Sequence, residues 1–151
     1  MLKNIRSPKD IQALSDKELK ALAEEIRKTI TDTVSKNGGH LASNLGAVEL
    51  SIALHRVFDC PEDKIIFDVG HQCYTHKLLT GRYESFSALR SLNGISGFTN
   101  RFESEYDVLT AGHSGPALSA ALGVARANKL SGKNSYTVAV IGDGSFTNGM
   151  V

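Results

Sequence analysis

No stretch of this sequence stays apolar for the ~20 residues that a bilayer-spanning helix requires. The amino-terminal MLKNIRSPKD also lacks the apolar core of a signal peptide. The expectation is a cytoplasmic protein with no membrane partner. Cysteine is scarce: Cys60 and Cys73 are the only two, which argues against a disulfide framework and fits reduced thiols. An excess of either charge is missing as well. Seventeen Lys and Arg stand against sixteen Asp and Glu, a net charge of +1, so bulk attraction to nucleic acid or to an anionic surface is excluded. Any anion bound here needs a local site. Internal repeats and low-complexity segments are absent too.

What is present is a chain of 151 residues with 41% hydrophobic and 22% charged side chains. That is ordinary for a soluble globular protein and enough for one domain with its own core. Glycine is the surplus. Fourteen glycines occur, and they cluster beside His, Asp and Ser.

Ser7 to Leu14 reads as a short helical turn. Ser15 and Glu18 then form S-x-x-E, a capping box in which each side chain satisfies an orphan N–H of the other. Leu19, Leu22, Ala23, Ile26, Ile30 and Val34 follow at spacings of three and four, an amphipathic helix with one buried stripe. Asn37-Gly38-Gly39 ends it. A second helix is expected from Ser43 through NLGAVELSIALHRVF, apolar on most faces and largely buried, with Pro61 closing the segment. KIIFDV (64–69) reads as a buried strand, RYESFSALRSL as a modest helix, and NGISGFTNRFESEYD as a long ordered connection of the kind that often carries function. In TAGHSGPALSAALGVARANKLSG, Ser114 is placed to cap and Pro116 to occupy the first turn of an Ala/Leu-rich helix. Gly132 ends that helix, and SYTVAVI (135–141) is a second strand. Strands alternating with helices predict an α/β domain with a mostly parallel sheet.

Four glycine corners stand at element boundaries: Gly39-His40, Gly70-His71, Gly112-His113 and Gly142-Asp143-Gly144. In open α/β sheets, ligands bind beyond the carboxyl ends of the strands, where two of these corners fall. The other two precede helices, where backbone N–H groups face an incoming anion. At the last corner the glycines let backbone approach a ligand closely, and Asp143 offers one hard oxygen. Magnesium takes one or two carboxylates and completes its shell with phosphate and water. Taken alone, those three residues read first as a turn whose glycines supply positive φ, ahead of a metal site. His55, inside an apolar helix, reads as a packed or solvent-edge histidine. His76 falls in a short helix after the Gly70 corner, with no role assigned. The set His71, Cys73, His76 is H-x-C-x-x-H, a spacing that matches no structural zinc pattern. Three histidines in glycine-flanked loops, together with Asp143, favour an anion-binding or proton-transfer pocket over coincidence.

These residues resemble a known family. GGHLASNLGAVELSIALHRVF, DVGHQCYTHKLLTGR, GISGFTNRFESEYD, AGHSGPALSAALGVA and VAVIGDG occur in the order seen in the 1-deoxy-D-xylulose-5-phosphate synthases, transketolase-like thiamine-diphosphate enzymes. GDG alone is shared by all thiamine-diphosphate enzymes, whereas SNLGAVEL and GHQCYTHKLLTGR are far more specific and separate this family from the related transketolases. The resemblance implies that residues 1–151 are the amino-terminal part of a diphosphate- and magnesium-binding domain. It further implies that the pyrimidine-side and carboxyl-terminal domains, and a second magnesium ligand, lie beyond Val151. Asp143 would bind Mg²⁺, while His71, Gly112, His113, Ser114, Gly144 and Ser145 would contact thiamine diphosphate. His40 and His113 would serve catalysis through proton transfer. The implied reaction joins pyruvate to D-glyceraldehyde 3-phosphate, giving 1-deoxy-D-xylulose 5-phosphate and CO₂ for isoprenoid, thiamine and pyridoxal synthesis, and a homodimer is implied with it. Phe67, GHSGPALS and GDGSFTNGM depart from the family's usual Trp, GHSSTSIS and GDGA-T-GGM without removing an expected ligand. A subunit of a split transketolase-like enzyme and a non-catalytic diphosphate-binding or assembly module are the alternatives.

Overall fold

The computed structural model describes all 151 residues and divides into two compact units. The first comprises Met1–Asp59 and His71–Gly97, the second Cys60–Gly70 and Phe98–Val151.

The first unit is helical. After a short turn at Leu2–Asn4, α1 (Lys9–Gln12) leads into α2 (Asp16–Asn37). The expected capping box is present: the Glu18 carboxylate accepts from the Ser15 N–H at 2.8 Å, and the Glu18 N–H donates to the Ser15 hydroxyl. Leu22, Ala23, Ile26 and Ile30 are buried along one stripe of α2, whereas Leu19 and Val34 at its ends are only partly covered. Gly38 stops the helix at φ +74°, its N–H donating to the Val34 carbonyl at 2.9 Å.

The single helix expected from Ser43 to Phe58 is two, α3 (Leu41–Leu45) and α4 (Val48–Val57). The chain leaves helical geometry at Ala47, with φ −108° and ψ 8°, and the N–H groups of Gly46 and Ala47 turn back onto Ala42 and Asn44. Burial is also narrower than the composition suggests. Val48, Ser51, Ile52 and His55 face inward at spacings of three and four, while Leu50 is 48% exposed and Val57 74% exposed. Helix α4 packs against α1, α2 and α5 (Tyr74–Leu79), and all six residues of α5 are buried. RYESFSALRSL forms only a single 3₁₀ turn, Phe86–Ala88. Serines at 85, 87 and 91 favour local turns over helix, and Arg90 adopts φ +63°, which ends any helical run.

The second unit carries the sheet. Strands β1 (Lys64–Phe67) and β2 (Thr137–Val140) pair in parallel with Lys64 opposite Thr137 and Phe67 opposite Val140, each shorter than its apolar run. Helix α6 (Pro116–Leu130) lays Ala117 and Ala121 against Ile66 of β1. Alanine at both positions brings the helix axis close to the strands. Val108, Leu109, Val124 and Ala139 fill the margin, and α7 (Asp143–Phe146) follows β2. Helices flanking a small parallel sheet give the α/β class read from the sequence. None of the helices is long and apolar enough to cross a membrane.

Candidate functional site

In the first unit, His40 stands immediately before α3 and His71 opens the segment leading into α5. Their rings meet edge to face, with centroids 5.7 Å apart at 70°. Below the rings lies Asn44, wholly buried. Its Nδ2 donates to the carbonyls of His40 at 2.6 Å and His71 at 2.7 Å, and its Oδ1 accepts from the Tyr74 N–H at 2.8 Å. The His40 N–H donates to the Tyr74 hydroxyl at 3.3 Å, and the Ser43 hydroxyl donates to the His71 carbonyl at 3.2 Å. Gly39 permits this closure: at φ +137°, a Cβ there would sit 2.7 Å from the Tyr74 hydroxyl. Burial, then His71 and Arg90, push the His40 imidazole below its ordinary pKa. A neutral imidazole at pH 7 accepts a proton, as a general base must. His71 keeps a buried Nδ1 with no hydrogen-bond partner.

In the second unit, Asp143 begins α7 directly after β2. Its carboxylate is exposed and makes no hydrogen bond or ion pair. The turn reading of its neighbours required positive φ, and the backbone does not supply it. Gly142 has φ −76°, and Gly144 is not among the left-handed glycines. Nor does packing demand them, because a Cβ at either position would meet nothing within 4 Å. The two glycines keep open the space around the carboxylate, and that fits a group approaching from outside. No group of three or more His, Cys, Asp or Glu side chains is placed to hold a metal ion, at this corner or elsewhere. Ser145 sits in the same turn, its N–H on the Gly142 carbonyl at 3.1 Å.

The Gly112-His113-Ser114 corner lies in the same unit, with Gly112 at φ +144° and a face open beyond 4 Å, and with His113 and Ser114 exposed. Ser114 does not cap α6. Gly115, at φ +102°, holds the cap position, and Ser114 accepts instead from Asn148 Nδ2 at 2.8 Å. The cap comes from Asp68, the residue after β1. Its buried carboxylate accepts from the Gly115 N–H at 3.0 Å and the Ala117 N–H at 3.1 Å. A charge-bearing acceptor outcompetes a hydroxyl for these donors. Pro116 occupies the first turn as expected.

Of the two places read for His55, packed or at the solvent edge, the structure gives the packed one. His55 is fully buried and stacks on His76 at 5.0 Å and 18°, with its Nε2 2.8 Å from His76 Nδ1. That contact gives His76 a structural place. Both cysteines are buried, and neither is in a disulfide. Asn44 and Asp68 escaped the sequence reading, the first inside an apparent helix and the second inside an apparent strand.

Two parallel strands flanked by helices, with glycine corners and a carboxylate beyond their carboxyl ends, give the class: an α/β protein. The particular family follows from comparison. The chain belongs to the 1-deoxy-D-xylulose-5-phosphate synthase family, whose model matches residues 2–151. It is 60% identical to the 1-deoxy-D-xylulose-5-phosphate synthase of Dictyoglomus thermophilum and 58% identical to that of Caldanaerobacter subterraneus. It is 57% identical to 1-deoxy-D-xylulose-5-phosphate synthase 2 of Geobacter sulfurreducens. Each match covers 99% of this chain and 24% of the relative, so the chain spans about a quarter of those proteins' length.

Proposed function

We propose that this chain supplies the diphosphate- and magnesium-binding residues of a cytoplasmic, thiamine-diphosphate-dependent synthase. The proposed reaction condenses pyruvate with D-glyceraldehyde 3-phosphate to give 1-deoxy-D-xylulose 5-phosphate and CO₂, with the protein acting as a homodimer. Family membership supports the reaction class. The observation that carries the residue assignment is the exposed, unpartnered Asp143 between two glycines that neither φ nor packing requires.

In this reading Asp143 contributes one oxygen to Mg²⁺, and Gly144 and Ser145 border the diphosphate. Gly112, His113 and Ser114 contribute the open corner before α6, and His71 offers its unpartnered Nδ1 to the cofactor. His40, held neutral, accepts and returns a proton on substrate hydroxyls, and His113 shares that task. Thiamine diphosphate, when bound, supplies the electron sink that decarboxylation of a 2-oxo acid requires.

Calorimetry of the chain with thiamine diphosphate, with and without Mg²⁺, tests the assignment. Binding is expected to strengthen when Mg²⁺ is present, and Asp143→Ala should weaken the metal-dependent part by about tenfold, roughly 1.4 kcal/mol. Binding indifferent to both metal and substitution would return Asp143 to a plain turn.

A further inference from the structure

The geometry points to Asn44 as a positioning residue that fixes His40 against His71, an inference whose functional meaning rests on the roles proposed above for those histidines. Three observations carry it. First, Asn44 uses every polar atom of its amide: one nitrogen reaches two carbonyls, those of His40 and His71, and the oxygen takes the Tyr74 N–H. Residues 40 and 71 are far apart in sequence, and one buried side chain ties their backbones together.

Second, the tie is closed on the far side. The Tyr74 hydroxyl accepts from the His40 N–H, so Asn44 and Tyr74 form a ring of bonds around the His40 backbone. Gly39 is the residue that lets the hydroxyl in. Third, the two rings hold a defined edge-to-face relation, and His71 is one of the groups that lower the His40 imidazole. A buried amide with both ends satisfied specifies one arrangement, because any other leaves carbonyls or the amide unpaired in the interior. His71, Arg90 and Tyr74 also face His40. None of them fixes both histidine backbones at once.

The test reads the coupling between the two rings in this 151-residue chain. Ring ¹⁵N titration of His40 is measured in the parent, His71→Gln, Asn44→Leu and the double variant. In the parent, His71→Gln should shift the His40 midpoint upward, because a neighbouring charge is removed. In the Asn44→Leu background that increment should be largely lost, and Asn44→Leu alone should move His40 toward its ordinary value. Asn44→Asp keeps the acceptor for Tyr74 and removes both donors. It decides by the same increment should the leucine variant fail to fold, since its added charge cancels in the cycle. Ser15→Ala, which weakens α2 far from the rings, should leave the increment intact. An unchanged increment in a folded Asn44 variant overturns the proposal, and so does an equal loss in Ser15→Ala. Lost coupling in a chain that shows no metal-dependent cofactor binding would end the proposed function and leave the positioning role standing.

Discussion

Asp68 gives α6 the cap that the sequence assigns to Ser114. The reason is distance along the chain. A cap one residue from its helix is visible as a pattern, whereas Asp68 reaches Gly115 and Ala117 only after the chain has left and returned to the sheet. Asn44 is hidden in the same way, because its partners at His71 and Tyr74 come from a later segment. The glycine corners, by contrast, are legible, since a left-handed or open backbone is a property of the residue itself. Asp68→Ala leaves buried N–H groups without an acceptor and should cost about 2–3 kcal/mol in urea unfolding, the scale of hydrogen bonds to a charged group. Asp68→Asn keeps an acceptor oxygen and should cost less. Equal losses in the two variants would mean that the charge, rather than the acceptor, holds α6.

Among the elements, α2 is the one whose limits the sequence states most fully. Its start is a capping box, its end a glycine at positive φ, and its buried stripe runs at helical spacing. All of these signals are local. Ser15→Ala should therefore lower stability by about 1 kcal/mol, with Glu18→Gln costing less because the amide still accepts. A loss under the measurement error for Ser15→Ala would show that the cap only marks the boundary. The segment from Leu41 to Val57 was harder to read, because Gly46 and Ala47 carry no breaker stronger than a tolerated glycine. The division is seen only in the backbone, where Ala47 leaves helical geometry and the Gly46 and Ala47 N–H groups turn back onto Ala42 and Asn44. The helix expected at RYESFSALRSL fails for the opposite reason: no stripe of its own is long enough to outweigh its serines. Strand existence and parallel pairing were readable from β-branched runs between helices, but strand ends were not, since they depend on where the partner stops.

At the scale of the whole molecule, the His55–His76 pair makes stability depend on pH. Burial first, then the nearby His76 and Arg82, pushes the His55 pKa from the ordinary 6.5 down to about 2. Its Nε2 lies 2.8 Å from His76 Nδ1, so one N–H fits between two ring nitrogens, and protonating both would set two donors face to face. Above pH 6.5 neither the folded nor the unfolded chain carries this proton, and the pair adds its full stabilisation. As pH falls below 6.5, the unfolded chain takes up a proton that the folded chain refuses, and stability declines by about 1.4 kcal/mol per pH unit. His40, also lowered, adds in the same direction. The lowered carboxylates Asp10, Glu18, Glu25 and Glu49 are exposed or nearly so and enter only near their own, more acidic range. The interval from pH 6.5 to about 5 thus isolates the histidines. Urea unfolding across that interval should show falling stability in the parent chain. In His55→Phe the slope should be shallower than in the parent, even if the variant starts less stable at pH 7.5. The decisive quantity is the slope rather than the midpoint: a parent and a His55→Phe chain with the same slope would mean that His55 is already charged in the fold, and the buried neutral pair would have to be abandoned.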